Sequence, residues 1–436
     1  MANVLFVSGS YFPNATANAV CAKKFEDALK AQGHQVFYCN RRNNLYEQSE
    51  YVMDGTQLYT VGKNSDLFFQ TVEKLQSMEL PNHMGTAFGG AMKFYRVLMK
   101  LMNFGKGTRQ LRAAADNAYL KAYSERICQV VIEKQIDLIV SVSMPFASHL
   151  AVQKAMEQMK PACRPKWIAY AIDAYWSKAG IKKSDIPSMK NAEHTVFRAC
   201  NCILMLDTIT KDYSSEEYDC YRKKMTSLPL PLFDLRNTSN YEGGFERKPG
   251  VSEIVFTGTV YDDFSNMNTC IHVAEKFRGK PYRFHFMGKI YPKSLAQLEA
   301  LQQRMPGQIE IYGRMPYDFA KGSMQKADIL LNLANDNTNQ IPSKIFEYMM
   351  CLKPILNIYN IDEDVGTEYL KKYPLAFNYK NGVERNAQEA ALIQWAERAK
   401  DMRITLEELD SIYHEVTTEV VAEQFCVICS KLEERH

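Results

Sequence analysis

The sequence predicts an α/β protein of two doubly wound, Rossmann-like domains, and three observations carry that expectation. A chain of 436 residues, 46% apolar and 24% charged, is too long for one ordinary core and too apolar to be disordered. Short apolar runs alternate with helical patterns along almost its whole length, the arrangement that produces parallel sheets covered on both faces. Midway, in residues 228–250, prolines and glycines cluster in LPLPLFDL and EGGFERKPG, where no periodic segment can continue, so this stretch reads as a linker. The expected divisions are residues 1–235, residues 236–405, and a C-terminal helix in 406–436 that packs back on the first domain.

The first unit opens with a strand at 4–7, a turn, and a helix that places Cys21, Phe25, Ala28 and Leu29 on one face. That helix stops at Gly33, before a second strand at 35–39. Further strands are expected at 137–142, 167–172 and 202–206, and beyond the linker at 253–258, 282–288, 309–313, 328–333 and 354–359. Three of the later strands end in glycine (Gly258, Gly288, Gly313), which lets a ligand approach backbone at the carboxyl edge of a sheet. Together they suggest a nucleotide-sized ligand on the second domain. Thr405 and Glu408 have capping-box spacing, and Leu409, Ile412, Val416 and Val420 continue at helical intervals, so one long terminal helix is expected.

Fifty-three Lys and Arg against 50 Asp and Glu leave +3, which gives no general reason to expect nucleic acid as a partner. The excess is local: residues 80–115 hold Lys93, Arg96, Lys100, Lys106, Arg109 and Arg112 and no acidic residue. In AMKFYRVLMKLMNF, Lys93, Arg96 and Lys100 share one helical stripe opposite Phe94, Leu98, Leu101 and Met102. Such a helix can lie in the headgroup layer of an anionic membrane, so peripheral contact through residues 91–112 is expected; packing on its own domain with the lysines in water is the other reading. Eleven scattered cysteines suit a reducing cytoplasm, and the close pairs Cys200 with Cys202 and Cys426 with Cys429 read as core packing. The start lacks a basic leader, and no window approaches ~20 uninterrupted apolar residues. A cytoplasmic protein, at most peripheral on the inner face of the membrane, is expected.

The most specific stretch is ADILLNLANDNTNQIPSKIFEYMMCLKPILNIYN, residues 327–360. It reads as a strand, a polar loop, a helix with Pro342 in the favoured first position, and another strand. The amides of Ser343, Lys344 and Ile345 would favour an anion, and Lys344 adds a charge. Glu347 lies one turn further on, where a carboxylate can accept two hydrogen bonds from a ribose diol. An ordinary amphipathic helix, with Ile345, Phe346 and Met349 inward and Glu347 solvated, fits the local pattern equally well.

This segment resembles the donor-binding motif of retaining GT-B glycosyltransferases, in particular glycosyltransferase family 4 and bacterial polysaccharide relatives with PSKxFEY followed by GKPIL. The resemblance extends through most of the chain. VLFVSGSYFPN and GHQVFY are similar to the family's opening, IVFTGTVYDD to the strand that starts its donor domain, and FHFMGK and IEIYGRMPYDF to the segments before the motif. It implies a GT-B fold whose two domains face a cleft, with acceptor on the first and nucleotide sugar on the second. Glu347 would grip the ribose, Ile341, Ser343 and Lys344 would face the diphosphate, Gly313 and Arg314 would border the base, and Gly258 and Thr259 would sit under the phosphates.

The family's earlier glutamate, near the transferred sugar, falls on Asn339, so either Asp336 takes over or the sugar is only hydrogen-bonded there. The first loop reads PNATANAV, with residues 15–17 where the family's glycines lie. The segment TGTVYDDFSNMN has no Arg or Lys to neutralise a diphosphate, and Asp262 and Asp263 carry the wrong sign, which leaves helix amides, Lys344, Arg314 or Lys289 for the task. In the first domain, SVSMPFASHLA brings His149 forward as a catalytic candidate, with a structural histidine as the alternative. WIAYAIDAYW resembles WIxDxRDxW and does the same for Asp173 and Trp176, with a helix cap as the alternative for Asp173. Glu193 and Arg198 read as an ordinary surface pattern. Asp362, Glu363 and Asp364 read as a solvated turn rather than a metal triplet, and the resemblance implies neither metal nor cofactor. The implied activity is sugar transfer, with retention, from a nucleoside diphosphate donor to a hydroxyl of a glycan or lipid-linked acceptor in polysaccharide synthesis. A noncatalytic nucleotide-sugar-binding protein and a GT-B sugar-nucleotide epimerase fit the same residues.

Overall fold

The computed structural model describes residues 1–9, 17–42, 48–62, 117–143, 145–177, 181–235, 241–260, 262, 266–334, 343–383 and 385–434. They divide into two compact units, Met1–Leu230 with Val421–His436, and Pro231–Val420.

The first unit holds β1 (Asn3–Ser8), α1 (Ala17–Ala31), β2 (Gln35–Arg41), β3 (Glu50–Met53), β4 (Thr56–Val61), α2 (Asn117–Lys134), β5 (Leu138–Val142), α3 (Ala147–Gln158), β6 (Lys166–Ala171), α4 (Ile186–Ala199), β7 (Cys202–Leu206) and β8 (Met225–Leu228). Its sheet runs β3-β4-β2-β1-β5-β6-β7-β8 and is parallel except for β3 against β4. Central strands such as LIVSV and CILML are buried at every position, which is why they read as apolar runs, with Ser141 the one polar residue in the two, rather than as an alternation.

The second unit holds β9 (Ser252–Val260), α5 (Met267–Glu275), β10 (Tyr282–Ile290), α6 (Pro292–Arg304), β11 (Ile309–Gly313), α7 (Tyr317–Lys326), β12 (Ile329–Leu333), α8 (Ser343–Met349), β13 (Ile355–Tyr359), α9 (Val365–Lys372), β14 (Ala376–Lys380), α10 (Arg385–Ala399) and α11 (Leu406–Tyr413). The strands are ordered β11-β10-β9-β12-β13-β14, all parallel. Inside this sheet Asn332, Asn357 and Asn378 sit side by side: Asn332 Nδ2 donates to Asn357 Oδ1 (2.8 Å) and Asn357 Nδ2 to Asn378 Oδ1 (2.9 Å). A slip of one residue would break this ladder and strand buried amides, so it pins the register.

The later part of the expected linker is packed rather than free. Gly322 of α7 touches it so closely that a Cβ there would lie 2.2 Å from the Gly243 carbonyl oxygen, and Phe245 is buried in the core of the second unit. A second close approach joins β9 to β10: Gly288 has φ +127°, and a Cβ on it would lie 1.8 Å from the Gly258 carbonyl oxygen. Gly288→Ala should therefore cost about 1–3 kcal/mol of backbone strain, read as a lower urea midpoint. An unchanged midpoint would contradict the contact.

The capping box is present, with Thr405 Oγ1 accepting from the Glu408 amide (3.1 Å) and Glu408 Oε2 from the Thr405 amide (2.8 Å). The single long helix expected after it is two. Between α11 and α12 (Thr418–Glu433), after a short 3-10 turn at His414–Val416, Val416 O accepts from the Leu232 amide (2.9 Å) and Phe233 O from the Thr418 amide (2.7 Å), so that Thr417 is extended and makes one bridge to Phe233. The chain then joins the first unit. Phe425 of α12 stacks on Phe25 with centroids 4.3 Å apart, and Val421, Cys426 and Cys429 enter the same core as β1 and β5. The four cysteines of the two close pairs are buried thiols, none in a disulfide. Among the described residues no helix is long and apolar enough to cross a membrane, and the basic segment 91–112 lies outside them.

Candidate nucleotide-binding site

The carboxyl edge of the second sheet is shaped by Gly258 and Thr259 on β9, in register with Gly288 and Lys289 on β10, and by Gly313 at the end of β11. Gly313 has φ +69° with nothing near its missing side chain, and Arg314 after it is exposed. Helix α8 is fastened to this edge by Tyr348, which is buried: its hydroxyl accepts from the Thr257 amide (2.8 Å) and donates to the Thr257 carbonyl (3.1 Å). The residue before Gly258 is thus tied to the residue after Glu347. The motif's tyrosine, beside the glutamate in PSKIFEY, was the available signal for this tether.

Glu347 is neither solvated nor alone. Its Oε2 lies 3.0 Å from Lys344 Nζ and 2.5 Å from Lys321 Nζ of α7. Burial works to raise its pKa, but the two ammonium groups, Lys344 and then Lys321, outweigh it and hold the carboxyl below the ordinary glutamate range. Burial likewise works to lower the Lys321 pKa, and Glu347 reverses that. The corner carries two positive charges against one negative, which suits a polyanion. Ser343 is the first described residue of α8; Asn339, Ile341, Asp336 and Pro342 lie outside the described residues, as do residues 15–16 of the first loop. Lys289 is exposed, its Nζ 3.1 Å from the Tyr291 hydroxyl.

Three acidic positions have structural work. Asp262 accepts from the Ser294 amide (2.9 Å) at the start of α6, so its charge is spent on a helix terminus. Asp364 is buried, not solvated, and caps α9 by accepting from the Thr367 amide (2.7 Å), while Asp362 pairs with Lys380 at 2.5 Å. Among the described residues no three His, Cys, Asp or Glu side chains are grouped to hold a metal ion.

In the first unit, His149 is fully buried, with Nδ1 2.7 Å from Ser141 Oγ, which also accepts from Trp167 Nε1 at 2.7 Å. Burial pushes its pKa down to about 3, so the imidazole is neutral. Asp173 is half-buried in the turn after β6, where no helix begins among the described residues. The reading of Glu193 as a surface residue is overturned. It is buried and accepts from the Tyr175 amide (3.3 Å), Trp176 Nε1 (3.2 Å), Tyr213 Oη (2.8 Å) and Tyr218 Oη (3.1 Å), tying the Asp173–Trp176 turn to α4. It lies on α4 with buried Met189, Val196 and Phe197, a helical stripe that was visible in the sequence.

Two Rossmann-like units, each built on a mainly parallel sheet, with the terminal helix returned to the first, form the GT-B glycosyltransferase fold. No family model matches the chain, and no curated protein does. Among solved structures it is similar to sucrose-phosphate synthase from Thermosynechococcus elongatus, at 11% identity and TM-score 0.57 over 99% of each chain. It is also similar to Anabaena HepE in complex with UDP and glucose, at 10% identity and TM-score 0.58 over 99% of this chain and 100% of that one. The lipopolysaccharide outer core galactosyltransferase WaaB matches at 10% identity and TM-score 0.53 over 98% of this chain and 99% of that one. At such identities the likeness is one of fold.

Proposed function

We propose that the protein transfers a sugar, with retention, from a nucleoside diphosphate sugar to a hydroxyl of a glycan or lipid-linked acceptor in polysaccharide synthesis. The observation that carries this reading is the Glu347 corner: a partly covered carboxylate flanked by two lysines, anchored through Tyr348 to Thr257, the residue before Gly258 on β9. Glu347 takes the ribose diol, and Lys344, with Arg314 and Lys289 as further cations of the same unit, meets the diphosphate. Charge developing on the departing diphosphate is then stabilised by groups already in place. UDP, glucose and UDP-glucose appear in the HepE complexes, which favours a nucleotide sugar as the ligand class. The basic segment 91–112 is the proposed contact with an anionic membrane on its cytoplasmic face; vesicle co-sedimentation that survives a Lys93, Arg96 and Lys100 triple substitution would remove it.

Incubating the protein with a panel of nucleotide sugars, with and without a lipid-linked acceptor, tests the activity through nucleotide release. Acceptor-dependent release is expected. Binding without turnover would favour a noncatalytic binding protein, and an altered free nucleotide sugar would favour an epimerase. Glu347→Ala should weaken nucleotide binding by about 1–3 kcal/mol, the cost of losing hydrogen bonds to a charged group. Unchanged affinity in a folded variant would take Glu347 out of the site.

A further inference from the structure

Both lysines converge on one oxygen of Glu347. Lys321 Nζ lies 2.5 Å and Lys344 Nζ 3.0 Å from Oε2, whereas Oε1 has no partner among the described residues. A carboxylate oxygen offers about two lone-pair directions, so Oε1 keeps enough acceptor capacity for both hydroxyls of a ribose diol. The lysines are not equivalent. Lys344 shares the helix of Glu347 and its side chain is 37% exposed; Lys321 comes from α7, is 17% exposed, and its ammonium lies 5.4 Å from the centroid of the Tyr317 ring. Helix α7 is itself held against the chain before β9 by the contact of Gly322 with Gly243, one residue beyond Lys321, so the ammonium is carried on a fixed support.

Resting on the reading of Glu347 as the ribose ligand, we propose that Lys321 is a positioning residue that anchors Glu347 Oε2, turning Oε1 to the ribose 2′ and 3′ hydroxyls of a nucleoside diphosphate. Lys344, the more exposed partner, can leave Glu347 for the diphosphate, and Lys321 stays to keep the carboxylate ionised and oriented. Without Lys321 the carboxylate loses its fixed orientation whenever Lys344 turns away.

The test is isothermal titration of the full chain with UDP, ADP and GDP, followed by comparison of the tightest binder with its 2′,3′-dideoxy analogue. Wild type should prefer the ribonucleotide. Lys321→Met should weaken the ribonucleotide by about tenfold, the scale of one charge-assisted hydrogen bond, and leave the dideoxy analogue within about twofold. Lys321→Arg should recover most of the loss, and Lys321→Met should have no further effect in a Glu347→Gln background. A Lys321→Met protein that still prefers the ribonucleotide as wild type does, or that weakens both ligands equally, overturns the proposal while leaving Glu347 in its role. A wild-type protein that binds none of the three, or does not distinguish the diol, overturns the reading of Glu347 and this proposal with it. Thermal melts of each variant separate these outcomes from loss of fold.

Discussion

Replacing Glu253 with leucine is expected to cost the second unit about 3–5 kcal/mol, the penalty of leaving a buried cation unpaired. Glu253 and His285 are fully buried and the Arg283 side chain is 7% exposed. The guanidinium grips the carboxylate with Nε and Nη2 at 2.9 and 2.8 Å, and His285 Nε2 lies 2.8 Å away with the Phe245 ring stacked on the imidazole. Adding Arg283→Met should recover much of the loss, because a buried pair exchanged for apolar side chains no longer strands a charge. Burial works to raise the Glu253 pKa, but hydrogen bonds from His285, Arg283 and the Lys248 amide bring it down to about 2. A folded value below the unfolded one means stability that is present above the ordinary glutamate range and is lost as pH falls toward 2. Urea midpoints measured downward from pH 6 should show that loss in wild type and less of it in the leucine variant. An unfolding free energy within about 1 kcal/mol of wild type would contradict the assignment.

Glu193→Leu should be comparably damaging to the first unit, by about 3–5 kcal/mol, since it removes the one acceptor shared by four buried or half-buried donors. Its pH dependence runs the opposite way. Burial raises the Glu193 pKa to about 7 against the hydrogen bonds that lower it, so the folded chain keeps a proton that the unfolded chain has released. This contribution is fully present below the unfolded glutamate value and is lost as pH rises through about 7. Because Trp176 Nε1 donates to this carboxylate, tryptophan fluorescence should titrate near neutral pH in wild type and not in Glu193→Gln. A flat wild-type profile between pH 5 and 8 would count against a buried, titrating Glu193.

Strands buried on both faces, such as β5, β7, β12 and β13, were legible because burial on two sides leaves mostly apolar runs, interrupted in these four by Ser141, Asn332 and Asn357. The β3–β4 hairpin was not taken from the sequence, although Asp54 and Gly55, both at positive φ, are the residues a two-residue hairpin turn selects. Short strands with polar positions, β8 (MTSL) and β14 (AFNYK), resemble loops until a neighbouring strand supplies their hydrogen bonds. The i,i+3 spacing of Lys344 and Glu347 makes their pairing readable in one dimension, whereas Lys321 reaches the same carboxylate from another helix. Nothing in the local pattern of α7 marks it.

In the proposed function, Glu347 and its lysines hold the ribose and diphosphate of a nucleotide sugar, and the decisive experiment is a crystal soaked with UDP-glucose. A ribose diol within hydrogen-bonding distance of Glu347 Oε1 and a diphosphate beside Lys344 are expected. A sugar nucleotide ordered elsewhere, with Glu347 still held by both lysines and no ligand beside it, would remove Glu347 from nucleotide binding.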